Sequence, residues 1–209
     1  IPVGTAWLDV NVKDDDQIPL QNISVTAYTS SGGVISKGFT DAAGNILLHI
    51  PAGTTSNLLI TASAHDFKPS QVNVVMDSAG SLVWNGQTLL EDGTQGSNGN
   101  ADSFANPGET VALWLELRNS TVAALSGISA SLTSDDPWLQ ISSATASYPD
   151  LASETSAANL APFLINIAGN IPPQHLARMN LQIADSNSQS YDLIFNLPLY
   201  NASLIVSSY

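Results

Sequence analysis

The sequence predicts an all-β protein built as two tandem β-sandwiches, and three observations carry the prediction. Helical periodicity is almost nowhere sustained, whereas short alternating or β-branched runs recur along the chain. Clusters of Gly, Pro, Asn, Asp and Ser separate these runs at the spacing of sandwich strands. The 209 residues suit one large all-β domain or two ordinary ones, and a hydrophobic content of 44% with 11% charged residues is that of a globular chain.

Six strands are expected in the first part, over 5–12, 23–29, 34–40, 45–50, 58–64 and 70–76. Turn chemistry separates them: Asp14-Asp15-Asp16, Ser31-Gly32-Gly33, Asp41-Ala42-Ala43-Gly44 and Pro51-Ala52-Gly53. The boundary is placed at 77–80, so that residues 1–78 form the first sandwich and 79–200 a larger second one, with 201–209 a linker or the start of a following module. Second-part strands are expected over 81–85, 86–91, 110–119, 128–134, 139–142, 144–148, 161–167, 177–184 and 191–197. The clearest is 110–119, where Val111, Leu113, Leu115 and Leu117 share one face while Trp114, Glu116 and Arg118 take the other.

Eighteen acidic residues against five basic ones give a formal charge of -13, which repels nucleic acid and anionic membranes and suits divalent cations. No apolar run approaches the roughly 20 residues needed to span a bilayer. Cys is absent, Lys scarce, and Ser, Thr and Asn abundant, a composition matching bacterial extracellular modules and a secreted or cell-surface setting. The start at Ile1, without Met or a leader, reads as a segment of a longer protein.

Thr40-Asp41-Ala42-Ala43-Gly44-Asn45-Ile46-Leu47-Leu48 followed by Ile50-Pro51-Ala52-Gly53 resembles the T-D-x-x-G-x-x-x-L … P-x-G hairpin of bacterial carboxypeptidase-regulatory-like (transthyretin-like) sandwiches. Val10 to Asp14 and Pro19 to Val25 are similar to the first strand pair of that family, so the likeness covers nearly all of 1–78. The opening Ile1-Pro2-Val3-Gly4-Thr5 resembles the immunoglobulin-like domain that follows the catalytic domain of gingipain-like cysteine peptidases. Asn106-Pro107-Gly108-Glu109-Thr110-Val111 and Leu132-Thr133-Ser134-Asp135-Asp136-Pro137 are similar to sandwich modules downstream of protease domains in secreted bacterial proteins. The resemblance implies two tandem immunoglobulin-like β-sandwiches, non-catalytic in themselves, with the neighbouring domains of the same polypeptide as partners. A gingipain-like catalytic Cys has no counterpart in this chain, so no peptidase residue carries over.

The most chemically loaded stretch is 98–109. With Asn98 as position 1, Asn100, Asp102 and Glu109 fall at positions 3, 5 and 12 of an EF-hand-like spacing, and Phe104 offers its carbonyl at position 7. Asp92 could add a second carboxylate. Ca2+ is therefore the one cofactor the sequence suggests, against the alternative of an Asn/Gly-rich turn whose side chains bond their own backbone. Asn at position 1, Ser103 in place of Gly and a following strand all depart from the EF-hand pattern.

Asp135-Asp136-Pro137-Trp138 reads as a strand-ending turn and Asp14-Asp15-Asp16 as a solvated hairpin tip. His49, His65 and His175 are scattered, without metal-ligand spacing, and no G-x-S-x-G elbow supports a hydrolase. Of the four tryptophans, Trp114 and Trp138 are the candidate contacts for a glycan or a host or surface protein, with burial in a sandwich core as the plainer role. The expectation is a non-enzymatic spacer, stabiliser or docking region of an exported protein, the alternative an adhesion or carbohydrate-binding module. The sequons at Asn22, Asn119 and Asn201 matter only in a eukaryotic secretory pathway.

Overall fold

The computed structural model describes residues 1–29, 32–51, 53–76, 80–173 and 175–201. Within them the chain is all β. The strands are β1 Trp7–Asn11, β2 Ser24–Thr29, β3 Val34–Phe39, β4 Asn45–His49, β5 Leu58–Ser63, β6 Ser70–Val74, β7 Leu82–Leu90, β8 Thr110–Asn119, β9 Ser129–Thr133, β10 Leu139–Ser143, β11 Thr145–Ser147, β12 Ser156–Ala158, β13 Phe163–Ile167, β14 His175–Ala184 and β15 Ser190–Leu199. They divide between two compact units, one of Ile1–Trp84 with Asn119–Ala123, the other of Asn85–Arg118 with the described chain from Ala124 onward. Of the expected boundary at 77–80, residues 77–79 lie outside the described residues, as do 202–209 of the expected linker.

In the first unit an antiparallel pair β1-β4 accompanies a four-stranded sheet ordered β3-β2-β5-β6. Alternation builds the core: Val25 and Ala27 from β2, Leu58 and Ile60 from β5, Leu8 and Leu48 from the β1-β4 pair, closed by Ile50 and Met76. The turn at 41–44 has the chemistry expected of it. Asp41 Oδ1 accepts the N–H groups of Ala43 and Asn45, both at 2.9 Å, and Gly44 takes a φ of +75°. It is not a hairpin, however. β3 pairs with β2 while β4 pairs with β1, so the turn carries the chain from one sheet to the other. Gly44 is required twice over, because a Cβ there would stand 2.5 Å from the Val12 carbonyl oxygen.

The second unit is a larger sandwich. One sheet runs β10-β13-β8-β12, with β7 also on β8, and the other runs β11-β9-β14-β15. Val111, Leu113, Leu115 and Leu117 of β8 are fully buried, with Phe163, Ile165, Met179, Leu181, Phe195 and Leu197 from neighbouring strands. Two details depart from the sequence expectation, and a third adds to it. The two strands expected over 81–85 and 86–91 are one, β7, because Asn85-Gly86 makes no turn; the Asn85 amide instead donates to Glu116 Oε1 at 2.8 Å, beside β7's ladder with β8. β12, Ser-Ala-Ala, carries no apolar signal and forms by pairing with Glu116–Arg118. Finally, β10 and β11 are near neighbours in sequence yet belong to different sheets, with a register shift between Ile141 and Ser143 where the chain leaves the first.

Candidate functional site

The segment between β7 and β8 is organised by two buried carboxylates, one at each end. Glu91 directly follows β7 and Glu109 directly precedes β8, with 1% and 9% exposure. Glu91 Oε2 accepts the Ala101 N–H, and its Oε1 accepts the Ser103 N–H at 2.5 Å. Ala101 and Ser103 both have left-handed backbone, with φ of 62° and 66°. Left-handed residues alternating with ordinary ones turn successive N–H groups to one side, the concavity that elsewhere binds anions. Here its anion is the chain's own Glu91. Gly99 lies against the same carboxylate, where a Cβ would stand 2.7 Å from both the Glu91 carbonyl oxygen and Oε2.

Glu109 closes the other side, its Oε1 accepting the Asn100 N–H at 3.2 Å and its Oε2 the Asn106 N–H at 2.9 Å. Asp102 sits outside these two and laces the loop together. Its Oδ1 accepts the Phe104 N–H at 2.8 Å, the Asn106 amide donates to both oxygens at 3.2 and 3.0 Å, and the Asn100 amide donates to Oδ2 at 3.1 Å. Asn100 Oδ1 accepts the Asp102 N–H at 3.1 Å. Desolvation works to raise the Asp102 pKa, but the Phe104 N–H and the Asn100 and Asn106 amides outweigh it and hold the carboxyl below its ordinary value. Asn98 takes part through its backbone alone, bridging Thr110 at 2.8 and 2.9 Å.

These bonds bear directly on the calcium expectation. Ca2+ takes six to eight oxygen ligands, whereas the side-chain oxygens of Asn100, Asp102 and Glu109 face N–H donors of the loop itself. Asp92 turns away to its own tight turn, accepting the Thr94 hydroxyl at 2.5 Å and the Thr94 N–H at 3.0 Å; these bonds lower its pKa. Phe104 contributes an exposed ring. Among the described residues no group of three or more His, Asp or Glu side chains is placed to hold a metal ion. In this arrangement those oxygens cap the loop's own backbone, which is the turn chemistry that the sequence offered as the alternative to calcium. The carboxylate missing from the sequence reading was Glu91, whose signal is a lone acid ending an apolar strand before a glycine-rich stretch.

The tryptophan candidates are both half-buried. Trp114 lies on β8, opposite the core-facing leucines. Trp138 packs edge-on against His175, with ring centroids 4.9 Å apart. Asp136 organises this corner: Oδ1 accepts the Trp138 N–H at 3.1 Å, and Oδ2 lies 2.5 Å from His175 Nε2. The pair ties the turn before β10 to the first residue of β14 across 39 residues, a distance no local spacing could reveal. Ser134 is close by, but its hydroxyl donates to the Arg178 carbonyl at 2.6 Å and accepts the Asp136 N–H at 3.2 Å. Its proton is therefore directed to the backbone, not to His175, and the three side chains do not make a nucleophile–base relay. His49 packs at 5.0 Å against Trp7, and His65 meets Asp66 at 2.9 Å on the open surface.

No family model matches the chain, and no curated protein matches it. Solved structures do. The chain is similar to the BSP domain of a biofilm-associated protein at 12% identity, over 98% of this chain and 29% of that one, with a TM-score of 0.31. It is similar to the D0-D1 domain of intimin at 10% identity, over 95% and 92%, with a TM-score of 0.32. It is also similar to invasin, described as a bacterial integrin-binding protein, at 15% identity over 93% and 37%, with a TM-score of 0.29. The chain spans under a third of the first of these. At these identities and TM-scores the fold of this chain is read from its own strands, which are all β and build paired sheets in two compact units among the described residues.

Proposed function

We propose that this chain is a non-catalytic two-sandwich region of an exported bacterial surface protein, which spaces and steadies the neighbouring domains of the same polypeptide. The observation that carries the reading is the closure of the 91–109 segment. Asn100, Asp102 and Glu109, the side chains that the sequence singled out, direct their oxygens to the loop's own backbone N–H groups, as does Glu91, which supports a structural role for the loop. The Ser134–Asp136–His175 corner supports the same reading, because its hydroxyl is bonded to a backbone carbonyl. A parent carrying a gingipain-like peptidase domain is the finer form of this proposal, and rests on the sequence motifs alone.

The second reading, an adhesion module, is favoured by one feature. A trough of about 810 Å3 involves the β11-β9-β14-β15 sheet, with Ser129, Ser131, Thr145, Ser147, Gln182 and Asp192 in its lining. Such side chains could hydrogen-bond a glycan or an extended peptide. Both readings are tested by applying the purified 209-residue chain to glycan arrays and immobilised matrix proteins. The spacer reading expects no saturable binding. Saturable binding that is lost on Gln182→Ala or Ser131→Tyr would establish adhesion through the trough instead.

A further inference from the structure

β15 is a ten-residue strand at the edge of the β11-β9-β14-β15 sheet, and among the described residues it pairs along its length with β14 alone. Only its end is covered on the other side. There Ala105 forms a parallel bridge to Leu199 and accepts the Tyr200 N–H at 2.8 Å. That bond fixes the direction of the strand's backbone groups. The Tyr200 N–H points away from β14, so by the two-residue period of a strand the N–H and C=O groups of Asp192, Ile194 and Asn196 point to the open edge as well. Pro198 belongs to the same set, and a proline is tolerated there because its missing N–H would have pointed off the sheet. Exposed edges are usually blunted by lysines, bulges or short length. The ladder of β15 with β14 runs without a register shift from Leu199 to Ser190, and Asp192 is the strand's one charged residue.

A bare strand edge accepts another strand, and the side chains of this one are complementary to its own copy. We propose that β15 pairs antiparallel with β15 of a second copy of this chain, Ile194 facing Ile194 across the twofold axis. Asp192 of each copy then faces Asn196 of the other, and two backbone hydrogen bonds form at each of the three facing positions. Among the described residues neither the Asp192 carboxylate nor the Asn196 amide has a hydrogen-bond partner, so both are free to meet. Charge favours the same register. Arg178, one of five basic residues, stands beside Asn196 on β14, and the incoming Asp192 enters that row about 10 Å away at the backbone, within an arginine's reach. Other registers lose this match. A slip of two residues one way sets Asp192 against Ile194, and a slip of four sets it against its own copy, a like-charge contact. The opposite slip sets Asp192 against Pro198, beside the edge that Ala105 already covers. The pairing goes beyond the spacer reading and does not depend on whether the trough binds a ligand.

The test combines sedimentation of the 209-residue protein with a cysteine cross-link that reads the register. At high ionic strength, which screens the repulsion between two chains of charge -13, the mass should rise with concentration to that of a dimer and stop there, because a twofold pairing closes. The chain has no Cys, so Ile194→Cys introduces a single thiol. In the proposed register two such residues face each other with Cα atoms about 5.5 Å apart, within disulfide range. The oxidant diamide should therefore link Ile194→Cys at least tenfold faster than Ser190→Cys, whose two copies would lie about 27 Å apart along the strands. Asn196→Asp sets carboxylate against carboxylate and should weaken the dimer at least fivefold, and adding Asp192→Asn should recover it. The proposal is overturned if the mass stays monomeric at every concentration or grows past the dimer. It is equally overturned if both thiols link at the same rate, or if the double variant associates no better than Asn196→Asp. Sedimentation needs no substitution and the double variant reads a gain, so a misfolded variant cannot imitate the expected result.

Discussion

Removal of the Glu91 side chain should destabilise the second sandwich more than any other change in its loop. The carboxylate is 1% exposed and is the acceptor for two backbone N–H groups, those of Ala101 and Ser103. Glu91→Ala leaves both donors without their acceptor, in bonds that are part-buried although Ala101 and Ser103 themselves are exposed. A hydrogen bond to a charged acceptor contributes about 1.5–3 kcal/mol, and water reaching the part-buried donors offsets some of the loss of two, so the variant should lose about 2–3 kcal/mol. Glu91→Gln should fall between Glu91→Ala and the unsubstituted protein, because one amide oxygen can still accept while the amide NH2 faces a second donor. For a unit of about 120 residues, 1 kcal/mol moves Tm by roughly 3–6 °C, so Glu91→Ala should melt at least about 6 °C lower. Asp92→Asn is the internal control, since Asp92 serves an exposed turn with Thr94 and should change Tm little. Calorimetry of the 209-residue protein follows the second-sandwich transition directly. A loss below about 1 kcal/mol for Glu91→Ala, or a larger loss for Asp92→Asn, would refute the claim that Glu91 organises the loop.

Because the oxygens of Asn100, Asp102 and Glu109 meet the loop's own N–H groups, EGTA should leave the melting curve unmoved within about 1 °C and added Ca2+ should give no binding heat; a chelation-dependent fall in Tm would restore the calcium cage. Acid should act on the second sandwich through Asp92, Asp102 and Glu116, the last lowered by the Ser156 hydroxyl and the Asn85 amide. Their folded pKa values lie below the ordinary 3.8 and 4.5, so their stabilisation is full above those values and is lost as pH falls through the folded ones; Tm should be flat from pH 7 to about 5 and fall below about 4, with a shallower fall in Asp102→Asn. At the alkaline end, burial pushes the Tyr148 hydroxyl well up, and burial with neighbouring Asp185 raises Tyr191; both favour folding below pH 10 and lose that contribution as pH rises through their folded values. Absorbance at 295 nm should therefore show fewer than the full five tyrosines ionising reversibly near pH 10. In the first sandwich, Gly44→Ala combines the left-handed penalty with a Cβ 2.5 Å from the Val12 oxygen, and urea unfolding should register a loss of about 2–3 kcal/mol; a neutral outcome would mean the turn can shift without cost.

How much was legible in the sequence depended on the range of the cause. β8 was readable to the residue, Thr110–Asn119, because one-sided burial writes a two-residue period into the chain itself. The 41–44 turn was readable in its chemistry, since Asp41 and Gly44 act on atoms within four residues, but not in its topology. Whether the next strand pairs back or crosses to another sheet is settled by β1 and β2, which compete for β4 and β3 from elsewhere. β12 was invisible because its three small residues form a strand only where β8 offers a partner. In the loop, the spacing of oxygens suggested a cation, and the structure supplied N–H donors instead. Ligand spacing and turn-capping spacing are nearly the same pattern, since both place an Asp or Asn every second residue, and only the direction of the N–H groups separates them. The Asp136–His175 contact joins residues 39 apart and left no local trace.

The same distinction explains the chain's acidity. Asp14, Asp41, Asp92, Asp102, Asp136 and Asp185 each turn a carboxylate oxygen onto the N–H two residues ahead, and Asp14, Asp41 and Asp185 onto the N–H four residues ahead as well. Glu91 and Glu109 add four further backbone donors. Eight of the eighteen acidic residues are thus engaged in shaping the connections between strands. A sandwich with many short strands needs many tight turns, and Asp is the side chain that closes a turn onto its own backbone. The charge of -13 that pointed toward divalent cations follows in large part from this need. An acidic β protein whose aspartates sit at turn positions should therefore be tested first for acid lability, and only then for metal.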